Sequence, residues 1–195
     1  MIRQTLAAAL FAAGFAGPGI AADAPENPQY QTEWSLYLTA KEAYDMKQAE
    51  GDKVLFIDVR EPVEMMFTGF TDVVDVNVPF MLVDPSAWNP EKPLLQMNKN
   101  PDFAAGVAAA MEARGLSKDA PVIVMCRSGG TRGAPSAAAL APLGLTQVYV
   151  VVDGFEGGTL KDDPRGPWRL KDGWKNAGLP WGYELNKDKV PLRSE

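Results

Sequence analysis

The stretch PVIVMCRSGGTR, residues 121–132, indicates the fold more directly than any other part of the chain. Its first five residues form a continuous apolar run, which is typical of a strand buried on both faces of a parallel sheet. A loop with two glycines follows, and the alanine-rich segment 132–143 predicts a helix after the loop. A strand that leads through a loop into a helix is the repeating unit of α/β folds.

The same alternation of strands and helices extends on both sides of this stretch. Thr39 and Glu42 have the spacing of a capping box at the start of the first predicted helix. The proline-containing segment 80–101 predicts a long surface loop. Further buried strands are predicted at 54–59, 73–78 and 147–152, and further helices at 40–49, 62–67 and 102–114. We therefore predict a three-layer α/β fold, in which a mostly parallel central sheet is covered by helices on both faces.

The N-terminus has the pattern of an export signal. Arg3 precedes an apolar run from Leu6 to Phe15, and small residues at Ala21 and Ala22 offer a cleavage site. The run is shorter than the roughly 20 apolar residues of a membrane-spanning helix, so a cleaved signal peptide is favoured over an uncleaved anchor. The mature protein is then expected in the bacterial periplasm. The predicted segments are a signal peptide (1–22), a polar lead-in (23–35), one globular domain (36–185) and a C-terminal tail (186–195).

The composition excludes several classes of function. The formal net charge is -6, and an acidic surface repels both nucleic-acid phosphates and anionic lipid headgroups, so neither is an expected partner. The chain has no histidine and one cysteine. This removes histidine-activated nucleophiles and predicts no metal site within one chain. Catalysis is left to a thiolate, to carboxylates, to Lys or Arg side chains, or to backbone dipoles.

Cys126 is the candidate nucleophile. It stands at the carboxyl end of the predicted strand, where ligands bind in open α/β sheets. Arg127 and Arg132 carry positive charge, and Gly129 and Gly130 allow backbone N–H groups to curl around an anion. Both features favour the thiolate, which is the reactive form of cysteine. The alternatives are an inert buried cysteine and, for Arg132, a solvated surface charge.

Several segments of the sequence carry a family resemblance. They are Ile57-Asp58-Val59-Arg60-Glu61-Pro62 followed by Glu64, then Val124-Met125-Cys126-Arg127-Ser128-Gly129, then Val152-Asp153-Gly154-Phe155-Glu156-Gly157, and finally the segment from Gly173-Trp174 to Ala177-Gly178-Leu179-Pro180. In these motifs, which span about residues 36–183, the chain resembles single-domain rhodanese-like sulfurtransferases. The resemblance implies a rhodanese-like fold for the domain over 36–185.

The resemblance also implies a mechanism. Cys126 attacks the sulfane sulfur of a donor such as thiosulfate, carries it as a persulfide and passes it to cyanide or a thiol. No cofactor other than this transient persulfide is implied, and a periplasmic sulfur-accepting protein is a further candidate partner. For Asp58 and Arg60, a structural charge and hydrogen-bond pair is favoured over direct catalysis. The residues expected to bind the substrate are Arg127, Ser128, Gly129, Gly130, Thr131 and Arg132.

The length of the cysteine loop leaves two alignments open. Counted from Cys126, Thr131 closes a six-residue loop of the sulfur-transferring kind. Alignment on Arg132 instead gives Cys-x5-Arg, the spacing of rhodanese-related phosphatases and arsenate reductases, in which an arginine faces a tetrahedral oxyanion. Sulfur transfer is favoured because Met125 stands where those phosphatases usually have a histidine. A third alternative is a non-catalytic carrier, in which Cys126 only stores sulfur for a protein partner.

Other parts of the chain depart from the family pattern or have no assigned role. The segment Gly69–Val74 replaces a usual family stretch, and residues 158–172 are an insertion. Four aromatic residues near the C-terminus either pin a terminal segment to the core, which is favoured, or form a docking surface for a sulfur-accepting partner. They are Trp168, Trp174, Trp181 and Tyr183.

Overall fold

The computed structural model describes residues 21–192. Within that range the strands are β1 (Tyr37–Leu38), β2 (Leu55–Asp58), β3 (Val76–Asn77), β4 (Met81–Trp88), β5 (Leu95–Lys99), β6 (Val122–Met125), β7 (Val148–Val151), β8 (Gly158–Thr159) and β9 (Arg169–Lys171). The α-helices are α1 (Ala40–Glu50), α2 (Pro62–Thr68), α3 (Phe103–Glu112) and α4 (Gly133–Ala138). Most of the predicted signal peptide, residues 1–20, lies outside the described residues.

The centre of the domain is a five-stranded sheet in the order β1-β7-β6-β2-β3. Every neighbouring pair in this sheet is parallel. Residues of α3 and α4 pack against one face, and residues of α1 and α2 pack against the other. The predicted α/β fold, with a parallel sheet between layers of helices, is confirmed.

The continuous apolar run of β6 is explained by burial on both faces of the sheet. Val122, Val124 and Cys126 belong to the apolar cluster beneath α3 and α4, whereas Ile123 and Met125 belong to the cluster beneath α1 and α2. Successive side chains of a strand point to opposite faces. Because both faces are covered, no position of β6 accepts a polar side chain without cost.

The start of α1 is set by the predicted capping box. The hydroxyl of Thr39 accepts a hydrogen bond from the N–H of Glu42 at 3.2 Å, and the Glu42 carboxylate accepts one from the N–H of Thr39 at 2.7 Å. Two N–H groups of the first turn, which have no partner within a helix, are satisfied in this way. The helix ends before Gly51, which has a φ of +56°.

The prediction of a long surface loop over residues 80–101 is wrong. This segment forms a two-stranded antiparallel hairpin of β4 and β5, and its turn is fixed by the side chain of Asn89, which accepts two backbone N–H bonds. A loop was predicted because the segment contains several prolines, and a proline has no N–H to donate to the hydrogen-bond ladder of a sheet. Pro85 lies in the irregular stretch between Asp84 and Trp88, where the register shifts, and a proline is tolerated at such a bulge.

Two other predicted elements are shorter than expected. The helix over 132–143 divides into α4 and a 3-10 turn at Ala141–Leu143, because Pro142 lacks the N–H that would continue the helix. The strand over 73–78 is limited to β3. The carboxylate of Asp75 accepts the N–H of Phe56 at 2.7 Å, so a side chain takes the place of a backbone partner at this end of the strand.

The C-terminal segment packs against the edge of the sheet as far as Val190. The N–H of Asn77 in β3 donates to the carbonyl of Lys189 at 2.6 Å, and Val190 is 8% exposed. Residues predicted as a tail from position 186 thus cover part of the edge strand, which protects it from pairing with another chain. None of the helices in residues 21–192 combines the length and apolar composition needed to cross a membrane.

Candidate active site

Cys126 follows β6, the middle strand of the parallel sheet. Since β6 lies between β2 and β7, the carboxyl ends of all three strands meet around this residue. The side chain is buried, with 2% of Cys126 exposed. Residues 126–132, which we call the Cys126 loop, connect the strand to α4. Cys126 therefore lies at the edge of the sheet where ligands approach in open α/β folds.

Hydrogen bonds to residues 155–156 hold the first two carbonyls of the Cys126 loop. The carbonyl of Cys126 accepts the N–H of Phe155 at 2.9 Å. The carbonyl of Arg127 accepts the N–H of Glu156 at 2.8 Å. A trans peptide directs its N–H away from its C=O, so the N–H groups that follow these carbonyls point away from residues 155–156.

The N–H groups of the loop are left available for a ligand. Among residues 21–192, no acceptor is hydrogen-bonded to the N–H groups of residues 127–132. A run of backbone donors without partners is suited to an anion, because each N–H carries a partial positive charge. The loop therefore provides six successive donors next to the buried thiol.

The two glycines of the loop differ in the space around them. Gly129 has a φ of +69°, and a Cβ at this position would lie 1.7 Å from the carbonyl oxygen of Val152. Only a residue without a side chain fits there. At Gly130, where φ is not positive, a Cβ would meet its nearest atom, in the ring of Tyr30, at 3.6 Å. Tyr30, from the predicted lead-in segment, thus lies at the rim of the loop.

Arg132, the last residue of the loop, is paired with Glu64 of α2. Its Nη1 and Nη2 donate to the two carboxylate oxygens at 2.5 and 2.8 Å. Burial by itself lowers the pKa of Arg132, but the hydrogen bonds and charge of Glu64, with contributions from Cys126 and Asp58, raise it above the ordinary arginine value. Arg132 therefore stays charged, and Glu64 occupies the fork of its guanidinium group.

Arg127 is more exposed, with 43% of its side chain accessible to solvent. Its Nε donates to Glu156 at 2.5 Å. The same carboxylate lies 3.8 Å from the Nε of Arg169 and 3.8 Å from the Nζ of Lys175. We call these four residues the Glu156 cluster. In this cluster Arg169 and Lys175, which lie outside the Cys126 loop, are close to Arg127, the first arginine of the loop.

Asp58 and Arg60 form a fully buried ion pair at the end of β2. The Arg60 Nη2 donates to the Asp58 Oδ2 at 2.6 Å, and its Nε donates to the Oδ1 at 3.0 Å. Arg60 also donates to the hydroxyl of Thr68 and the carbonyl of Gly69, and its guanidinium lies 3.9 Å from the ring centroid of Phe155. These contacts connect β2 to α2 and to the segment that holds the Cys126 loop.

The structure brings all the predicted loop residues together, with Ser128 partly exposed and Thr131 exposed. It also adds residues to which the sequence analysis gave no role. Two of them, Glu64 and Glu156, stood in the quoted motifs, and a search for acidic partners of the loop arginines would have found them. No sequence motif indicated a role for Arg169, because it lies in the inserted segment 158–172. The added residues are Tyr30, Glu64, Glu156, Arg169 and Lys175.

Asp153 joins the start of α1 to the segment after the insertion. Its carboxylate accepts the N–H of Ala40 at 2.8 Å and the N–H of Gly173 at 2.9 Å. Burial raises the pKa of Asp153, although the hydrogen bonds from these two N–H groups oppose the shift, and the charge of Asp172 adds to it. The folded protein therefore binds this proton more tightly than the unfolded chain does.

We expect the contribution of Asp153 to stability to fall as the pH rises. A raised pKa in the folded state stabilises the protein below the ordinary Asp pKa, about 3.9, and this gain is lost as the pH rises through the raised value. The measurement is urea unfolding of the wild type and Asp153→Asn from acid to neutral pH. The wild type should lose stability relative to the variant along this series. A difference that is constant or grows with pH would contradict the prediction.

The C-terminal aromatic residues divide into two groups. Trp174 is fully buried, and its Nε1 donates to the carbonyl of Pro180 at 2.9 Å, so it pins the terminal segment to the core. Trp168, Tyr183 and Trp181 are 62%, 61% and 37% exposed, and a docking role for them stays a prediction. Within residues 21–192, no group of three or more acidic or cysteine side chains is arranged to hold a metal ion.

The chain is similar to several solved structures. The crystal structure of Rv0390 from M. tuberculosis is 29% identical, with a TM-score of 0.50, and the match covers 76% of this chain and 97% of that chain. The solution structure of the 30 kDa polysulfide-sulfur transferase homodimer from Wolinella succinogenes is 21% identical, with a TM-score of 0.42, over 74% of this chain and 76% of that one. No curated protein matches the sequence.

A third similar structure is described by a different activity. It is the protein of unknown function RPA3614, described as a possible tyrosine phosphatase, from Rhodopseudomonas palustris CGA009. It is 21% identical, with a TM-score of 0.41, and the match covers 74% of this chain and 82% of that chain. The family model for the rhodanese-like domain matches residues 39–161, which include β2, the Cys126 loop and Glu156. With more than half of its length matched, the chain belongs to the rhodanese-like domain family, as the motifs predicted.

Proposed function

We propose that this protein is a periplasmic sulfurtransferase that moves sulfane sulfur from a donor such as thiosulfate to cyanide or a thiol through a persulfide on Cys126. One observation carries the proposal. The buried thiol stands at the root of a loop whose six N–H groups, at residues 127–132, have no acceptor among the described residues. A persulfide is an anion, and such donors stabilise it without any histidine.

The reaction proceeds in two displacements on sulfur. The Cys126 thiolate attacks the outer sulfur of thiosulfate, a new S–S bond forms to the protein, and the S–S bond of thiosulfate breaks with its electron pair leaving on sulfite. Cyanide then attacks the outer sulfur of the persulfide, which gives thiocyanate and restores the thiolate. No redox partner and no cofactor are needed, because each step exchanges one nucleophile for another at sulfur.

The residues of the loop have different roles in this proposal. The N–H groups of residues 127–132 hold the persulfide, and Gly129 allows the backbone to take the required shape. Arg127 is exposed enough to attract an anionic donor. Arg132, paired with Glu64, supplies positive charge beside Cys126. A periplasmic protein thiol is proposed as a physiological acceptor beside small thiols.

The alternative is an oxyanion enzyme, a phosphatase or arsenate reductase, that uses Cys126 and Arg132 at the Cys-x5-Arg spacing. The burial of Arg132 near the thiol favours it. Against it, both Nη groups of Arg132 already donate to Glu64, whereas bidentate recognition of an oxyanion uses this fork. A carrier that loads sulfur once and discharges only to a protein partner remains the third candidate.

The proposal is tested by intact-mass spectrometry of the reduced mature protein after incubation with thiosulfate. We expect the wild type to gain the mass of one sulfur atom and to lose it when cyanide is added, with thiocyanate released. The Cys126→Ser variant is the control, and it should gain nothing, because its hydroxyl is a much weaker nucleophile at neutral pH. Sulfur gained by both proteins would instead place the reaction elsewhere.

Turnover separates the three candidates. Continuous thiocyanate production from thiosulfate and cyanide supports the enzyme, whereas a single loading without turnover by small acceptors supports the carrier. If the reduced thiol gains no sulfur, thiosulfate is excluded as the donor. Hydrolysis of a phosphate ester or reduction of arsenate, dependent on both Cys126 and Arg132, would then establish the oxyanion alternative.

A further inference from the structure

The Glu156 cluster contains more positive charge than its carboxylate can neutralise. Glu156 is 2.5 Å from the Nε of Arg127 and 3.8 Å from cationic nitrogens of Arg169 and Lys175. Three cations around one carboxylate repel each other, and although the Nζ of Lys175 also lies 4.4 Å from the ring centroid of Trp181, a further anion between the cations would offset the repulsion. In a protein with a formal net charge of -6, such a concentration of cations beside the reactive cysteine loop calls for an anionic occupant.

Backbone contacts hold the two outer cations in place. The Nη1 of Arg169 donates to the carbonyl of Gly157 at 2.8 Å, and the Nζ of Lys175 donates to the carbonyl of Thr68 at 2.9 Å. Arg169 belongs to β9, the returning strand of the inserted hairpin over residues 158–172. The hairpin thus fixes a guanidinium group beside the Cys126 loop, and its position does not depend on Glu156 alone.

The Arg132–Glu64 pair at the end of the loop does not reduce this excess, because its own two charges cancel. Together with the Arg132–Glu64 pair, the cluster has four cations and two carboxylates, and the Cys126 thiolate of the proposed mechanism offsets one of the two excess positive charges. Partial burial lowers the pKa of Arg169, and the charges of Arg127 and Arg132 lower it further, against the opposing charges of Glu156 and Glu64. The charged form of Arg169 is therefore penalised, and an anion bound beside its guanidinium would offset the penalty, a dianion more than a monoanion.

We infer that Arg169 and Lys175 act with Arg127 as the recognition site for a doubly charged oxyanion donor, and that Arg169 sets the preference for dianionic over singly charged donors. The inference rests on the proposed sulfur transfer and names the residues that select its donor by charge. The oxyanion end of the donor binds the guanidinium groups, and its outer sulfur is presented to Cys126. The inserted hairpin is then a specificity element of this chain.

The test compares two donors that differ by one charge. Thiosulfate is a dianion, whereas methanethiosulfonate carries one negative charge and transfers sulfur by breaking the same kind of S–S bond. The kcat/KM of both is measured for the wild type and for Arg169→Gln. We expect Arg169→Gln to lower kcat/KM for thiosulfate about tenfold, mainly through KM, and to change that for methanethiosulfonate by less than about threefold.

Arg165→Gln is the matched control. Arg165 lies in the same hairpin, is exposed and pairs with the half-buried Asp163, and within residues 21–192 it has no ion pair with Glu156. This variant removes the same charge from the hairpin and should keep the wild-type donor preference. A second control is the urea unfolding curve of Arg169→Gln, which should match that of the wild type if the effect is on recognition.

The outcomes distinguish the inference from the proposed function. If the wild type gains no sulfur from either donor, the proposed function fails for this class of donor and the inference fails with it. If the wild type uses both donors and Arg169→Gln keeps the wild-type preference, the inference alone is overturned. An equal loss for both donors, or the same change in preference for Arg165→Gln, also overturns it, because the effect would not depend on the charge of the donor or on the site.

Discussion

A Gly129→Ala variant is expected to lose both the shape of the Cys126 loop and sulfur transfer. Gly129 has a φ of +69°, and a Cβ would lie 1.7 Å from the Val152 carbonyl oxygen. The left-handed conformation costs an alanine about 1–2 kcal/mol, and the overlap adds to it, because a backbone atom cannot move aside as a side chain can. We expect the free energy of unfolding to fall by about 3 kcal/mol or more, and turnover to fall at least about 100-fold.

Gly130→Ala is the matched control for this prediction. Gly130 is the next residue, its φ is not positive, and a Cβ there would have its nearest neighbour at 3.6 Å. Urea unfolding and thiocyanate release are measured for both variants. Gly130→Ala should remain close to the wild type in stability. If Gly129→Ala is no more damaging than Gly130→Ala, the positive φ and the nearby Val152 carbonyl do not cause the loss, and this geometry of the Cys126 loop is contradicted.

Arg60→Met is expected to have the largest effect on stability outside the loop. The side chains of Asp58 and Arg60 are both inaccessible to solvent. Removal of Arg60 leaves the Asp58 carboxylate buried without its counter-ion, and the loss of one partner of a buried pair costs about 3–5 kcal/mol. Thr68 and Gly69 also lose their donor. The measurement is the free energy of unfolding in urea.

A double variant shows whether the buried charge causes the loss. When Asp58→Asn is combined with Arg60→Met, no charge remains, and we expect the double variant to recover a large part of the stability. The carboxamide oxygen introduced at position 58 can still accept the N–H of residue 60, which donates to the Asp58 carboxylate at 3.0 Å in the wild type. Arg165→Met is a control at an exposed pair. If that substitution is as damaging as Arg60→Met, burial is not the cause.

The elements with strong local signals could be predicted from the sequence. The run over 121–125 could only be a strand covered on both sides, because an exposed strand alternates apolar and polar residues. The Thr39–Glu42 spacing fixed the start of α1, since both hydrogen bonds of the capping box are local. The hairpin of β4 and β5 was missed because its strands are stabilised by pairing with each other, which composition alone does not reveal.

The sequence predicted one part of the candidate site, the Cys126 loop, and did not predict the ion pairs of its arginines. Cys126 and its loop follow directly from one short segment, because the strand, the glycines and the arginines are neighbours in sequence. The acidic partners of these arginines are distant in sequence. Glu64 and Arg132 are 68 positions apart, and Glu156 and Arg127 are 29 apart. An ion pair between such residues depends on how α2 and the segment after β7 are placed at the edge of the sheet.

The sequence by itself therefore determined the parallel α/β architecture, the family and the position of the single cysteine at the end of a buried strand. Each of these depends on periodicity or on residues adjacent in the chain. Only the tertiary structure decided that Glu64 binds Arg132 and that Glu156 gathers Arg127, Arg169 and Lys175 beside the loop. The energy of an ion pair depends on the distance between its charges. The distance between the inserted hairpin and the Cys126 loop is set only when the chain folds, so the sequence alone did not predict these contacts.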